Sequence, residues 1–175
     1  SGKKLIAVRD PSGFRPLCMG RTGKTVVFAS ESCAFDAIGA EFIRDIEPGE
    51  IVTVEDGRIT SLDSGIRARE ALCVFEFVYF ARPDSIIDGV SVELARQAAG
   101  RCLARRNKVE ADIVIGVPDS GISAAMGFAK ESGIPYGVGL IKNRYIGRTF
   151  IQPSQGQRQR AVKIKLNALA SAVRG

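Results

Sequence analysis

Two short stretches of this chain carry residue types suited to holding a polyphosphate. The first is Val117-Pro118-Asp119-Ser120-Gly121. It sets a carboxylate, a hydroxyl and flexible backbone at what reads as the start of a helix, where free N–H groups and the positive helix end favour an anion. The Ser120 hydroxyl could also help hold Mg²⁺ by oxygen ligation, directly or through water. The second stretch is Lys142-Asn143-Arg144-Tyr145-Ile146-Gly147-Arg148-Thr149-Phe150-Ile151-Gln152-Pro153. Its cations, Tyr145 and Thr149 can wrap a phosphate group and exclude water from it. Gly147, Pro153 and Gly156 could serve as hinge points of a lid. Plainer explanations stand beside both: a turn whose Asp or Ser caps the next helix, and a solvated basic loop.

Charge is distributed so as to sharpen the second stretch. Residues 132–175 hold no Asp or Glu but eight Lys or Arg, whereas residues 1–131 hold 17 basic and all 19 acidic residues. The net charge of +6 therefore describes one segment, a balance of +8 against −2. A cation-rich stretch beside a helix-start loop suits a polyphosphate ligand, either nucleic acid or a small phosphorylated molecule. Lys and Arg interleaved with aromatics also suit a nucleic-acid backbone, but no nucleic-acid-binding motif accompanies them.

The chain has four cysteines, at 18, 33, 73 and 102, and no histidine. No pair has Cys-x-x-Cys spacing, so a local zinc site is not expected and every His-based acid, base or nucleophile relay within the chain is excluded. Catalysis must rest on charge and backbone dipoles, or on residues elsewhere. Cys18, Cys33 and Cys102 read as small buried hydrophobes. No apolar run approaches the roughly 18 residues of a membrane span, and no leader-like start is present. The expectation is a cytoplasmic protein with reduced thiols.

These stretches need elements to position them. Residues 5–8 and 25–29 are short β-rich runs, and residues 51–54 and 59–62 flank Asp56-Gly57, a strong hairpin signal. Residues 33–38 could form a short helix. Residues 73–80, aromatic and β-branched, read as a strand. Ser91 makes a good N-cap for a helix to about Arg106, with Leu94, Ala98 and Cys102 on one side and Ala95, Ala99 and Leu103 beside them. Residues 112–117 form a nearly apolar run typical of a parallel strand buried on both faces. A helix over 122–131, stopped at Ser132-Gly133, and a strand over 136–141 complete a βαβ unit. Both candidate stretches then lie beyond the carboxyl ends of strands, where such sheets bind ligands. A last helix is expected over about 161–173.

Several segments resemble one family. CVFEFVYFARPDS (73–85), VIGVPDSG (114–121) and GLIKNRYIGRTFIQP (139–153) are similar to the glutamine phosphoribosylpyrophosphate amidotransferases, as are RDPSGFRPL (9–17), ASESCA (29–34) and DIEPGE (45–50). The resemblance covers essentially the whole chain. It implies a fold that is α/β (α+β overall): residues 1–72 as the C-terminal part of an N-terminal-nucleophile glutaminase domain with antiparallel sheets, and residues 73–175 as the first half of a type I phosphoribosyltransferase domain with a parallel sheet and helices.

Function follows by the same resemblance. Family members release ammonia from glutamine and pass it inside the protein to phosphoribosyl pyrophosphate, giving 5-phosphoribosylamine in the first step of purine synthesis. Position by position, Pro118, Asp119, Ser120 and Gly121 match the pyrophosphate loop, with Ser120 at a Mg²⁺-associated place. Lys142, Arg144, Tyr145 and Arg148 match the catalytic front of the closing loop, with Thr149 and Gln152 as substrate contacts. Cys73 stands where some members carry one ligand of a [4Fe–4S] cluster, which needs four thiolates. Glutamine, ammonia, phosphoribosyl pyrophosphate and inhibitory purine nucleotides are the implied partners. No nucleic acid or membrane is implied, and the full-length relatives are homo-oligomers, commonly tetramers.

Departures from the family pattern set further expectations. The family's nucleophile is an N-terminal cysteine, but this chain begins Ser1-Gly2, and the signature with two adjacent Asp and a Gly-Thr-Thr-rich loop does not precede Gly175. Neither half-reaction is therefore expected of the segment in isolation. Another type I phosphoribosyltransferase and a basic polyanion-binding module remain as alternative readings.

Overall fold

The computed structural model describes residues 2–147 and 153–174. They form two compact units, Ser1–Ala95 and Arg96–Gly175. The fold is mixed α/β, with antiparallel sheets in the first unit and a parallel strand pair in the second.

In the first unit, β1 (Lys4–Val8), β5 (Glu50–Glu55) and β6 (Arg58–Asp63) make one antiparallel sheet in the order β1-β5-β6. A second antiparallel sheet, β3-β2-β4, joins β2 (Cys18–Thr22), β3 (Thr25–Ala29) and β4 (Glu41–Asp45). The β5–β6 hairpin turns on Asp56 and Gly57, both with positive φ, as the mirror-image turns of tight hairpins require. Met19, Val26 and Val52, drawn from both sheets, form the buried core of this part with Ile46, the residue after β4. The helix α1 (Cys33–Ile38) seats Phe35 fully inside. Room for that ring comes from Gly20, whose Cβ would lie 3.0 Å from it and 2.8 Å from the Glu41 carbonyl.

Residues 73–80 differ from the expected strand. Residues Glu76–Phe80 form a π-helical turn. Strand alternation would have placed Glu76, Val78 and Phe80 on one face. The turn instead buries Glu76 against Arg15, with which it forms an ion pair, and leaves Val78, Tyr79 and Phe80 outward. Arg15 also lies over the Phe80 ring, 4.9 Å from its centroid. A buried carboxylate with one available cation outweighs the β-propensity of its neighbours. A short hairpin follows, β7 (Ile86–Ile87) with β8 (Val90–Ser91), and the helix α2 (Val92–Arg106) begins directly from it. The Ser91 hydroxyl accepts from Leu94 N at 3.3 Å, as the capping signal predicts.

The face of α2 that is buried is not the one expected. Val92, Arg96, Gly100 and Ala104 are buried, whereas Leu94, Cys102 and Leu103 are exposed. Cys102 is thus no core residue. Val92 is seated against Ala81 and Ile87. Farther along, the selection comes from α3 (Ile122–Ser132), which approaches so closely that a Cβ on Gly100 would lie 1.9 Å from the Ala124 carbonyl oxygen. Gly127 is packed equally hard against Gln97, at 2.0 Å. Bulk in Leu94 and Leu103 cannot enter such a crossing; glycine can.

Strand β9 (Val114–Ile115) pairs in parallel with β10 (Tyr136–Gly137) across α3, which completes the expected βαβ unit with shorter strands. Val114 and Ile115 are half-buried, because the described pairing has only one neighbour strand. Gly133, at φ 77, ends α3 in the left-handed conformation. The expected 136–141 strand is split into β10 and β11 (Leu140–Lys142). The expected helix over 161–173 lies earlier, as α4 (Gln155–Lys165). A capping box starts it: Ser154 Oγ accepts from Gln157 N, and Gln157 Oε1 accepts from Ser154 N, each at 3.3 Å. It stops because β12 (Leu166–Ala168) pairs antiparallel with β11, before a single turn, α5 (Ala170–Val173).

Candidate functional site

The loop from β9 to α3 doubles back on itself, and its two glycines make that possible. Gly121 N donates to the Val117 carbonyl at 3.0 Å, and a Cβ on Gly121 would lie 2.7 Å from that oxygen. A Cβ on Gly116 would lie 2.8 Å from Ile122 Cα. The Pro118–Asp119 peptide bond is cis. Gly121 is the N-cap of α3 and no side chain caps it. Neither Asp119 nor Ser120 therefore does the capping that a plain turn would assign to them.

Asp119 instead forms an ion pair with Lys142, the last residue of β11. This joins the two stretches in which the chemistry was expected. Pro118, Ser120 and Gly121 are half-buried along the loop, while Asp119 is exposed. Beyond Lys142 the chain is held in two ways. Asn143 N donates to the Lys165 carbonyl at 2.7 Å, and the Lys165 ammonium donates to the Gly147 carbonyl at 3.0 Å. The Asn143 side chain accepts from Tyr145 N at 3.0 Å, an Asx turn that turns the ring outward. Tyr145 is 98% exposed and Arg144 is exposed. Arg148, Thr149 and Gln152 lie outside the described residues.

Sequence reasoning missed Asn143 and Lys165 as supports of the basic loop. The Asn-x-Tyr turn was readable locally; the Lys165 contact follows from the β11–β12 pairing and had no local signal.

Among the described residues, no cluster of three or more His, Cys, Asp or Glu is placed to hold an ion. The loop offers the Ser120 hydroxyl and the Asp119 carboxylate, which suits Mg²⁺ shared with a ligand's phosphates and does not suit a protein-only cage. The cysteines do not fit a [4Fe–4S] cluster within this chain. Cys73 is half-buried with its N–H on the Phe14 carbonyl at 3.0 Å, and no other thiol joins it in a ligand cluster among the described residues. Burial pushes the Cys18 thiol up to about 12, and burial also raises Cys33.

No protein-family model matches the chain. It is 55% identical over 171 residues to an amidophosphoribosyltransferase of Archaeoglobus fulgidus and 50% identical over 172 residues to one of Bacillus subtilis. Each match covers 98% of this chain and a little over a third of the relative, 37% and 36%. A solved glutamine phosphoribosylpyrophosphate amidotransferase from Bacillus subtilis, complexed with ADP and GMP, superposes with a TM-score of 0.89 at 49% identity. It is matched over 100% of this chain and 38% of its own. A second structure, described as the allosteric regulatory enzyme of purine biosynthesis, gives a TM-score of 0.88 at 50% identity.

Proposed function

Since the sequence and fold of this chain are those of a segment of the amidophosphoribosyltransferases, we propose that it forms part of an enzyme that transfers glutamine-derived ammonia to phosphoribosyl pyrophosphate. Residues 1–72 serve as the last part of the glutaminase domain and residues 73–175 as the first part of the phosphoribosyltransferase domain. The observation that carries the reading is the meeting of the Pro118–Gly121 loop with the basic loop at Asp119 and Lys142.

The reaction joins the ammonia nitrogen to C1 of the ribosyl group and breaks the bond from C1 to the pyrophosphate oxygen. Charge gathers on the leaving pyrophosphate while the ribosyl carbon becomes cationic. The backbone of 118–121 and the start of α3 receive the pyrophosphate. Lys142, Arg144 and Arg148 neutralise its growing charge, and Tyr145 shields the ribosyl centre from water. Thr149 and Gln152 add hydrogen bonds to the substrate. Ser120 would help hold Mg²⁺, which would neutralise further charge on the phosphates. Were the full-length protein to hold a [4Fe–4S] cluster, Cys73 would offer one of its four thiolates. Purine nucleotides occupy the same phosphate-binding loops as inhibitors. The protein acts in the cytoplasm as a homo-oligomer, a tetramer when full length, and binds neither nucleic acid nor membrane; among the described residues no helix is long and apolar enough to cross one.

The test is phosphoribosylamine formation by the full-length protein, with glutamine and with ammonia as nitrogen source. Lys142→Ala and Arg148→Ala should each lower kcat with both sources, by the equivalent of about 2 to 4 kcal/mol of transition-state stabilisation. Full activity in both variants would refute the site.

A further inference from the structure

One residue clasps both ends of the turn that carries Arg144 and Tyr145. Lys165 is the last residue of α4, and Leu166 after it pairs with Lys142 in the β11–β12 ladder. From that junction the Lys165 carbonyl accepts from Asn143 N at 2.7 Å, and the Lys165 ammonium donates to the Gly147 carbonyl at 3.0 Å. Residues 143–147 are thus fastened at their start by the backbone of Lys165 and at their end by its side chain. Within the clasp, Ile146 N donates to the Asn143 carbonyl at 3.4 Å, and Tyr145 N donates to the Asn143 side chain at 3.0 Å. Arg144 and Tyr145 lie at the bend and are exposed.

The two cations on either side of this clasp stand in different surroundings. Arg144 is exposed, whereas Lys165 is half-buried with its ammonium on a carbonyl oxygen. Residues 132–175 hold no Asp or Glu that could claim that ammonium locally. A charged donor makes the stronger kind of hydrogen bond, so the bond fixes the Gly147 end of the turn more firmly than a neutral donor would.

We infer that Lys165 is a positioning residue for the proposed pyrophosphate site: it acts through the backbone of 143–147 to set where the Arg144 guanidinium stands, and it does not itself neutralise the phosphates. This rests on the amidotransferase reading. Opening the clasp at Gly147 leaves Arg144 its charge and takes away its place, and a displacement of about 1 Å can cost a reacting site about a hundredfold.

The experiment measures binding of inorganic pyrophosphate with Mg²⁺ by titration calorimetry, on full-length wild-type protein, Lys165→Met, Arg144→Ala and the double variant. Methionine keeps an unbranched apolar stem and removes the donor. Lys165→Met is expected to weaken pyrophosphate about three- to thirtyfold in the wild-type background, and less than about twofold once Arg144 is gone, because the two residues act as one unit. Losses that multiply in the double variant would make Lys165 an independent phosphate contact or a general structural support, and either overturns the inference. Undiminished binding by Lys165→Met would overturn it as well. Should Lys165→Met fail to fold, Lys165→Gln goes through the same cycle and is judged by the same outcomes. Wild-type protein that forms no phosphoribosylamine from ammonia would refute the amidotransferase reading itself, and is recognisable because that failure precedes any substitution.

Discussion

Lys142 and Asp119, 23 residues apart, are joined as an ion pair across the mouth of the candidate site. A phosphate that enters there must take the ammonium from the carboxylate. Asp119→Asn is therefore expected to tighten inorganic pyrophosphate binding by severalfold, and Lys142→Ala to weaken it, both read by titration calorimetry. Stability should change by less than about 1 kcal/mol in either variant, because the pair is solvent-accessible.

The crossing of α2 and α3 depends on two glycines. Gly100→Ala and Gly127→Ala would each drive a methyl group into backbone carbonyl oxygen, at 1.9 and 2.0 Å. Each is expected to cost about 1 to 3 kcal/mol, seen as a lower midpoint in thermal or denaturant unfolding. Gly156→Ala in α4 meets nothing within 4 Å and should be neutral or slightly stabilising.

Acid should weaken the first unit through Glu50. Its carboxylate accepts from Arg44 at 2.5 and 2.8 Å, from Ser61 Oγ at 2.6 Å and from Glu47 N at 2.8 Å. The Arg44 bonds foremost hold it down to about 2, against the opposing effect of burial. The folded value lies below the unfolded one, so the stabilisation is complete above the ordinary value of 4.5 and is lost as pH falls toward about 2. Glu50→Gln should lower stability at neutral pH by about 2 kcal/mol and flatten the acid limb of the stability profile, a figure reduced for the solvent access of Arg44.

Thiol reactivity separates two cysteines that read alike in sequence. Cys18 donates to the Ala29 carbonyl at 3.2 Å, and its burial pushes the thiol up to about 12. Cys102 is exposed on α2. Iodoacetamide at pH 8 should therefore modify Cys102 and spare Cys18 in the native protein, with peptide mass spectrometry as the readout.

The sequence by itself determined those features whose causes lie within a few residues. Asp56-Gly57 makes a hairpin, Ser91 starts α2 and Gly133 ends α3, because turn geometry and capping are local properties of the backbone. The motifs also identified the family, and they marked both loops of the candidate site. The tertiary structure alone decided which side of α2 is buried, whether residues 73–80 extend or coil, and that Asp119 meets Lys142. In each case the deciding partner is distant in sequence: Ala124 for Gly100, Arg15 for Glu76, Lys142 for Asp119. Periodicity and propensity register what a segment can bury, whereas the position of a buried charge or a close helix crossing depends on a partner that no local window contains.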